Sequence, residues 1–331
     1  MSTSEAEAGT ERRAALALSI VIVAWNTREL LLALLKGLAP LRGSDVEILV
    51  VDNASSDGSA AAVRHAFPEV LLLPQDHNGG FAFGVNRGIE HARGEFILLL
   101  NPDVDPDPAA ISALLREARE NGSAGIFGPR IVDGRGVAQP SCWRDPRLLI
   151  HAADAFGANR LRRGARISSE GAVDCVSGCV LLIARRVIER IGGMDERFFM
   201  YFEESDFCRR ARKAGFPVRL LSRVEFTHAG GLSAEKARLR TFLAFRESCL
   251  AYHAAWDGRL GAEWVRFWLL VGCALRFCFW APAAALGLPN KARLYAAAVK
   301  MLARPSLVAG IARRARQVPM FSPREAPAGG S

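Results

Sequence analysis

Four short apolar runs punctuate the N-terminal third of the chain, and each ends in a polar residue. They are "SIVIVAWN" (19–26), "VEILVVDN" (46–53), "VLLLP" (70–74) and "FILLLN" (96–101). Runs this short and this rich in β-branched residues and leucine read as buried strands rather than helices. Helical patterns lie between them. "TRELLLALLKGLAP" keeps a helical period and stops at Pro40, "SSDGSAAAVRHAF" is a loop leading into a helix, and "NGGFAFGVNRGIEHA" is a helix opened by glycines. "DPAAISALLREAREN" (107–121) supplies the helix after the fourth strand. Strands alternating with helices through short loops predict an α/β fold of right-handed βαβ units, with a mostly parallel sheet and helices on both faces. Ligands of such sheets sit beyond the carboxyl ends of the strands. The polar ends Trp25-Asn26, Asp52-Asn53 and Asn101 to Asp103 all fall there.

The order then changes. Residues 134–170 hold seven arginines and few apolar runs, which predicts irregular structure. "AVDCVSGCVLLIA" (172–184) returns as a strand, and a helix is expected from near Glu203 to Gly215. "VRLLSRVEFTHAGG" (218–231) supplies another strand or two. The seven cysteines form no CxxC pair and sit partly in apolar runs, so they read as reduced, buried thiols of a cytoplasmic protein. The formal charge of +9 belongs to the end of the chain. From Arg259 onward there are eleven Lys/Arg against two acids, while residues 1–258 balance at 32 of each, so a core that binds nucleic acid is not indicated. The first 17 residues lack a basic and then apolar pattern and read as a disordered leader.

Three acids at alternate positions, Asp103, Asp105 and Asp107, follow the fourth strand. If the backbone bends at Pro102 or Pro106, two of them can approach one hard cation, which takes oxygen ligands. Asp105 or Asp107 equally suits the cap of the next helix, with Pro108 in its first turn. Asp52 ends a buried strand, where a carboxylate can accept from ribose hydroxyls or a base N–H. In "HNGGFAFGVNRG" (77–88), Asn78, Gly79, Gly80 and Asn86 sit where a loop enters a helix, an approach open to a phosphate and equally to a plain turn. Glu203, Glu204 and Asp206 crowd one helical turn; the helix dipole and an Asp206–Arg210 pair account for part of that. His228, ending an apolar strand, reads as a satisfied histidine or as a ligand.

Taken in order, "VIVAWN", "VDNASSDGS", "NGGFAFGVNRG", "LLLNPDV", "VSGCVLLIARR", "IGGMDERFFMYFEESDFCRRARKAGF" and "HAGGLS" resemble the family 2 glycosyltransferases of GT-A fold, a Rossmann-like architecture for nucleotide-diphospho-sugar transferases. The pattern is similar to bacterial rhamnosyltransferase-type members that build cell-surface polysaccharide. The resemblance implies a catalytic domain over 18–240. It implies nucleotide-sugar contacts from Trp25, Asn26, Asp52, Asn53, Asn78, Gly79, Gly80, Asn86 and Asn101. It places Asp103 at the metal-binding acid of the family's DxD motif, helped by Asp105, with His228 completing the shell of a divalent metal, Mn2+ or Mg2+. Glu204 falls at the catalytic-base position of the family's Glu-Asp-x-Asp motif, where Asp is commoner, with Glu203 and Asp206 beside it. Single displacement with inversion follows, from a UDP- or dTDP-sugar to a lipid-linked or glycan acceptor.

Residues 241–331 form a helical tail in this reading. "EWVRFWLLVGCALRFCFWAPAAALGL" (263–288) is the most apolar stretch, but Arg266 and Arg276 interrupt it and Pro282 is expected to break it. Four of the six tryptophans lie at this end, and bases follow. That composition suits a peripheral helix on an anionic membrane surface at the cytoplasmic face, or helices packed on the domain or on a second subunit of a homo-oligomer. Rival readings are the same fold with a galactofuranose or N-acetylglucosamine donor, and a non-catalytic docking module. A Rossmann dehydrogenase would need GxGxxG after the first strand, and "AWNTREL" lacks it.

Overall fold

The computed structural model describes residues 16–41, 45–157, 170–229, 238–285 and 291–317. Most of the leader, part of the arginine-rich stretch, the end of "HAGGLS" and the last basic residues lie outside them.

The expected alternation is present. Strands β1 (Leu18–Ala24), β2 (Val46–Asp52), β3 (Leu71–Pro74) and β4 (Phe96–Leu100) alternate with helices α1 (Arg28–Gly37), α2 (Ser59–Ala66) and α3 (Phe81–His91). Pro40 sits in a short 3-10 turn after α1. Helix α4 (Pro108–Glu120) leads to β5 (Ile126–Val132). Ile20, Ile22, Val50, Val51 and all of β4 are buried, so these strands have the near-continuous apolar faces of a sheet covered on both sides.

Eight strands form one sheet in the order β3-β2-β1-β4-β9-β5-β10-β7. β3, β2, β1 and β4 are parallel, and β5 pairs in parallel with β10 (Val218–Thr227). β9 (Val180–Ala184) runs antiparallel between β4 and β5. The consequence for the site is topological. The carboxyl ends of β1, β2, β4 and β10 meet the entry to β9 at one edge of the sheet, where the amide of Asn101 donates to the carbonyl of Cys179 at 3.0 Å.

The stretch expected as one strand over 172–184 is divided among β7 (Gly171–Ala172), β8 (Cys175–Val176) and β9. β7 borders β10, while β8 leaves the main sheet to pair with β6 (Cys142–Trp143). The 134–170 stretch is therefore not wholly irregular: it holds β6 and α5 (Leu148–Ala155). Helix α6 (Arg185–Ile191) and α7 (Glu203–Lys213) complete this part. Six of the cysteines are buried and free as expected; Cys278 is free but exposed.

The tail contains α8 (Arg238–Trp256), α9 (Gly258–Ala285), α10 (Ala292–Leu302) and α11 (Leu307–Gln317). Its own apolar core gathers Leu250, Tyr252, Val265, Ala298 and Leu302 around Phe198. Helix α9 runs through Pro282 instead of breaking there. Proline costs a helix the bond to the residue four earlier, and α9 ends three residues later, so little ladder remains to be lost. Both arginines that interrupt its apolar run turn inward. Arg276 Nη2 donates to the carbonyl of Asp154 at 2.6 Å, at the end of α5, and Arg266 Nη1 donates to that of Leu302 at 2.8 Å, at the end of α10. Cations at helix carboxyl ends are favoured by the dipole. Leu260, Trp264, Phe267, Leu275 and Phe279 are left exposed. Over Gly258–Pro282 the helix is long and apolar enough to cross a membrane, with a mean hydropathy of 1.4.

Asn86, in α3, is fully buried and holds the loop before α7. Its Nδ2 donates to the carbonyl of Met194 and to Glu196, and its Oδ1 accepts from the amide of Met194, each at 2.8 Å. Removing it orphans backbone groups of a buried loop. Asn86→Ala is expected to lower unfolding free energy by about 2–4 kcal/mol in urea titration.

Candidate active site

A cleft of about 430 Å3 lies beyond the carboxyl ends of β1, β2 and β4, within the usual range for small-molecule sites, roughly 300–1,000 Å3. Trp25, Asn53, Asn78, Gly80, Asn101, Asp103, Glu203, Glu204 and His228 all line it, so these residues, far apart in the chain, face one space.

Asp103 and His228 come together through a backbone clasp. The amide of Asp105 donates to the carbonyl of Thr227 at 2.8 Å, and that of Ala229 to the carbonyl of Asp103 at 2.9 Å. The clasp places His228 Nε2 3.2 Å from Asp103 Oδ1. Gln139 sets the ring. Its Nε2 donates to the His228 carbonyl at 2.9 Å, which orients the amide so that Oε1 lies 3.1 Å from His228 Nδ1. The tautomer in which Nδ1–H donates to Gln139 would turn the Nε2 lone pair toward Asp103. A carboxylate oxygen, an imidazole nitrogen facing it and an amide fixing the tautomer form a donor set that fits a divalent cation.

Glu203 and Glu204 begin α7. The two residues before them, Tyr201 and Phe202, adopt left-handed backbone at φ 70° and 69°, uncommon for bulky side chains. One carboxylate oxygen of each glutamate, Oε2, is buried without a protein partner among the described residues. Burial pushes the Glu204 carboxyl up to about 7. Burial, joined by the neighbouring Glu204 carboxylate, holds Glu203 well above the usual carboxylate range. Both carboxyls thus hold their protons to higher pH than ordinary glutamates do.

Other expected site residues are employed elsewhere. Asp206 is buried behind the cleft; its Oδ2 accepts from Arg210 Nε at 2.7 Å and its Oδ1 from Trp256 Nε1 at 2.9 Å. Asp105 is exposed and off the lining, because the clasp uses its backbone and turns its side chain outward. Asn26 spends its Oδ1 on the amide of Ser56 at 2.8 Å, tying the end of β1 to the loop after β2. Asn86 serves the loop described above, and Gly79 lies off the lining, packed against Phe83. Asp52 is buried beside the lining residue Asn53. Its Oδ2 accepts from the amide of Ser55 at 3.2 Å, and its Oδ1 has no protein partner among the described residues. The glycine loop is not an open anion cradle: the amide of Gly80 donates to Asn78 and that of Phe81 to the carbonyl of Phe199. A Cβ at Gly80, where φ is +96°, would meet that carbonyl oxygen at 2.2 Å, so glycine is required there. Asp107 caps α4, accepting from the amides of Ala109 and Ala110, as the turn pattern allowed.

Several lining residues had no signal in the sequence. Trp143, from the arginine-rich stretch, is pinned by Nε1 donating to Ser205 at 3.0 Å. Arg240, at the start of α8, stacks over the rings of Phe199 and Trp25 at 4.5 and 5.6 Å. Gln139 lies behind His228.

The family description "Glycosyl transferase family 2" matches residues 19–191. The chain is 32% identical over 266 residues to an N-acetylglucosaminyl-diphospho-decaprenol L-rhamnosyltransferase of Mycobacterium tuberculosis, covering 70% of this chain and 85% of that one. It is 27% identical over 240 residues to a low-salt glycan biosynthesis hexosyltransferase of Haloferax volcanii, covering 71% and 75%. Among solved structures, a mannosyltransferase of Pyrobaculum calidifontis in complex with GDP-Man and Mn2+ superposes with a TM-score of 0.51 at 17% identity, over 90% of this chain and 86% of that one, a likeness of fold. The strand-end cleft, its facing Asp103–His228 pair and its two buried glutamates therefore sit in a GT-A fold, and the chain belongs to glycosyl transferase family 2.

Proposed function

We propose that the protein is a metal-dependent, inverting glycosyltransferase that moves a sugar, rhamnose first among those to test, from a UDP- or dTDP-sugar to a lipid-linked acceptor in cell-surface glycan synthesis. One observation carries this reading. A single cleft holds both a cation donor pair, Asp103 and His228, and buried carboxylates with partnerless oxygens, Glu203 and Glu204. The name of the Mycobacterium tuberculosis relative, which pairs L-rhamnose with a diphospho-decaprenol acceptor, supports the choice of substrates.

In this mechanism Asp103 and His228 would hold the cation, which when bound neutralises charge on the departing diphosphate. Asp52 and Asn53 contact the nucleoside, with Trp25 as a ring wall. The acceptor hydroxyl loses its proton to Glu204, and its oxygen bonds to the anomeric carbon as the bond to the diphosphate breaks. The raised pKa of Glu203 favours its neutral form, which limits the repulsion that ionised Glu204 meets. Trp143, Phe199 and Tyr201 wall the reacting centre from water.

The whole reading is tested by incubating purified protein with dTDP-rhamnose, Mn2+ and a polyprenyl-diphosphate N-acetylglucosamine acceptor; a rhamnosylated lipid is expected. Asp103→Asn should abolish Mn2+-dependent binding of UDP or dTDP in calorimetric titration while leaving the fold intact. Gln139→Leu, which frees the His228 ring, should weaken metal affinity by about 10–100-fold.

Glu204→Gln should bind donor but lose turnover by a factor on the order of 10²–10⁴, with Glu203→Gln milder. A base must be deprotonated, so wild-type kcat/KM should fall as pH drops through about 7, and the variant's residual rate should lack that limb. Stability moves the opposite way. The folded-state pKa is raised, so ionising Glu204 erodes stability as pH rises from the unfolded value through about 7. Glu204→Gln should therefore melt higher than wild type above pH 7 and match it near pH 4.

The exposed Leu260, Trp264, Phe267, Leu275 and Phe279 of α9, with the basic residues of the tail, are proposed to seat the enzyme on the anionic cytoplasmic face of a membrane. Phe267→Glu with Phe279→Glu should release the protein from anionic liposomes in flotation assays without changing its melting temperature or donor hydrolysis. Wild-type protein that ignores such liposomes at low salt would remove the membrane role.

A further inference from the structure

Away from the cleft, three side chains of metal-ligand type converge where α5 meets α8. His151 comes from α5; Cys249 and His253 come from one face of α8, four residues apart. Their ligand atoms all lie within 4.8 Å of one another. The two Nε2 atoms are 2.8 Å apart, and Cys249 Sγ is 3.9 Å from His151 Nε2. His253 and Cys249 are buried, and His151 is partly exposed.

Behind this trio, Asp257 Oδ2 lies 2.6 Å from His253 Nδ1. The carboxylate accepts a hydrogen bond from Nδ1–H, which leaves Nε2 of His253 as a lone pair aimed at His151, the outer-shell arrangement that orients metal-binding histidines. Burial, with the facing His253 ring, lowers His151 to about 4, and burial lowers His253 as well, so both rings are neutral at physiological pH, as ligands must be. Burial raises the Cys249 thiol, and a bound cation would reverse that by deprotonating it outright.

The structure assigns to His151, Cys249 and His253 a second metal site, separate from the cleft and of transition-metal type, with zinc as the fitting ion. Charge favours this. One thiolate and the Asp257 carboxylate balance a divalent cation inside an apolar helical core. Imidazole and thiolate are donors that suit zinc, whereas the carboxylate-bearing pair in the cleft suits a harder ion. Zinc bonds nitrogen at about 2.0–2.1 Å, so the two rings separate slightly as the ion enters between them. His151 is partly exposed, so water could supply a fourth ligand. A bound ion would rivet α5 to α8. Since α8 brings Arg240 to the cleft wall, the rivet ties that wall to α5.

The competing account is a proton chain, Asp257 to His253 to His151, with Cys249 as a neighbouring apolar side chain. Full-length protein carrying no histidine tag, grown with zinc and dialysed, is analysed for metal by mass spectrometry. About one zinc per chain is expected, unchanged in Asp103→Asn and lost in Cys249→Ser and in His253→Gln. Stripped protein refilled with Co2+ should show a thiolate-to-cobalt charge-transfer band that Cys249→Ser abolishes, and zinc should raise the melting temperature of stripped wild type but not of that variant. Wild-type protein without stoichiometric zinc, or zinc retained by Cys249→Ser, overturns the site and leaves the proton chain. None of the three readouts uses glycosyl transfer, so the outcome is independent of the proposed reaction.

Discussion

Two backbone hydrogen bonds, Asp105 N–H to Thr227 and Ala229 N–H to Asp103, hold the cleft edge of the sheet together. β4 and β10 are separated in the sheet by β9 and β5, so their ends meet only because the chain after Leu100 crosses over the top. The crossing delivers a carboxylate from one strand end and an imidazole from the other to the same point. It is made by backbone groups alone, so it spends no side-chain atom of Asp103 or His228. The clasp also settles the fate of the three alternate acids: Asp103 faces in, Asp105 faces out and Asp107 caps α4.

The second constraint is electrostatic. Two adjacent glutamates are buried at the start of α7 behind two residues in left-handed backbone, a conformation that costs about 1–3 kcal/mol for each such residue. The tail offsets this. Phe202 packs on Phe245 and Tyr252 with ring centroids 5.3 and 5.6 Å apart, and Ser248 Oγ donates to the carbonyl of Met200 at 2.8 Å. Helix α8 is thereby part of what keeps the glutamates in place, as well as the source of Arg240 in the cleft wall. A strained, charge-burdened turn of this kind persists only where its surroundings over-determine it.

The strand ends and Asp103, Glu203, Glu204 and His228 were legible because each interrupts or terminates an apolar run, and an interruption needs a reason. The same logic could not separate them from Asp206, Asn86 and Asn26, which look alike in sequence. What distinguishes these is a partner far along the chain: Trp256 for Asp206, Met194 for Asn86, Ser56 for Asn26. Gln139, Trp143 and Arg240 were illegible for the converse reason. They come from segments without a period, and only the tertiary crossing gives them a site to face. In the tail, the pattern suggested that arginines and a proline interrupt an apolar helix. The fold turns both arginines inward and puts the proline near its end, so the interruption is absent from the outer face.

Those inward arginines have a mechanical consequence. Arg266 and Arg276 sit on one long helix and are each anchored to the end of a different neighbour, α10 and α5. A helix pinned at two points along its length cannot roll about its axis. The angular position of Phe267 and Phe279 is therefore locked to α5 and α10, and, through the packing of α9 on α8, to Arg240 in the cleft wall. Whatever covers that apolar stripe also sets the heading of the cleft's mouth, much as a keel sets the attitude of a hull.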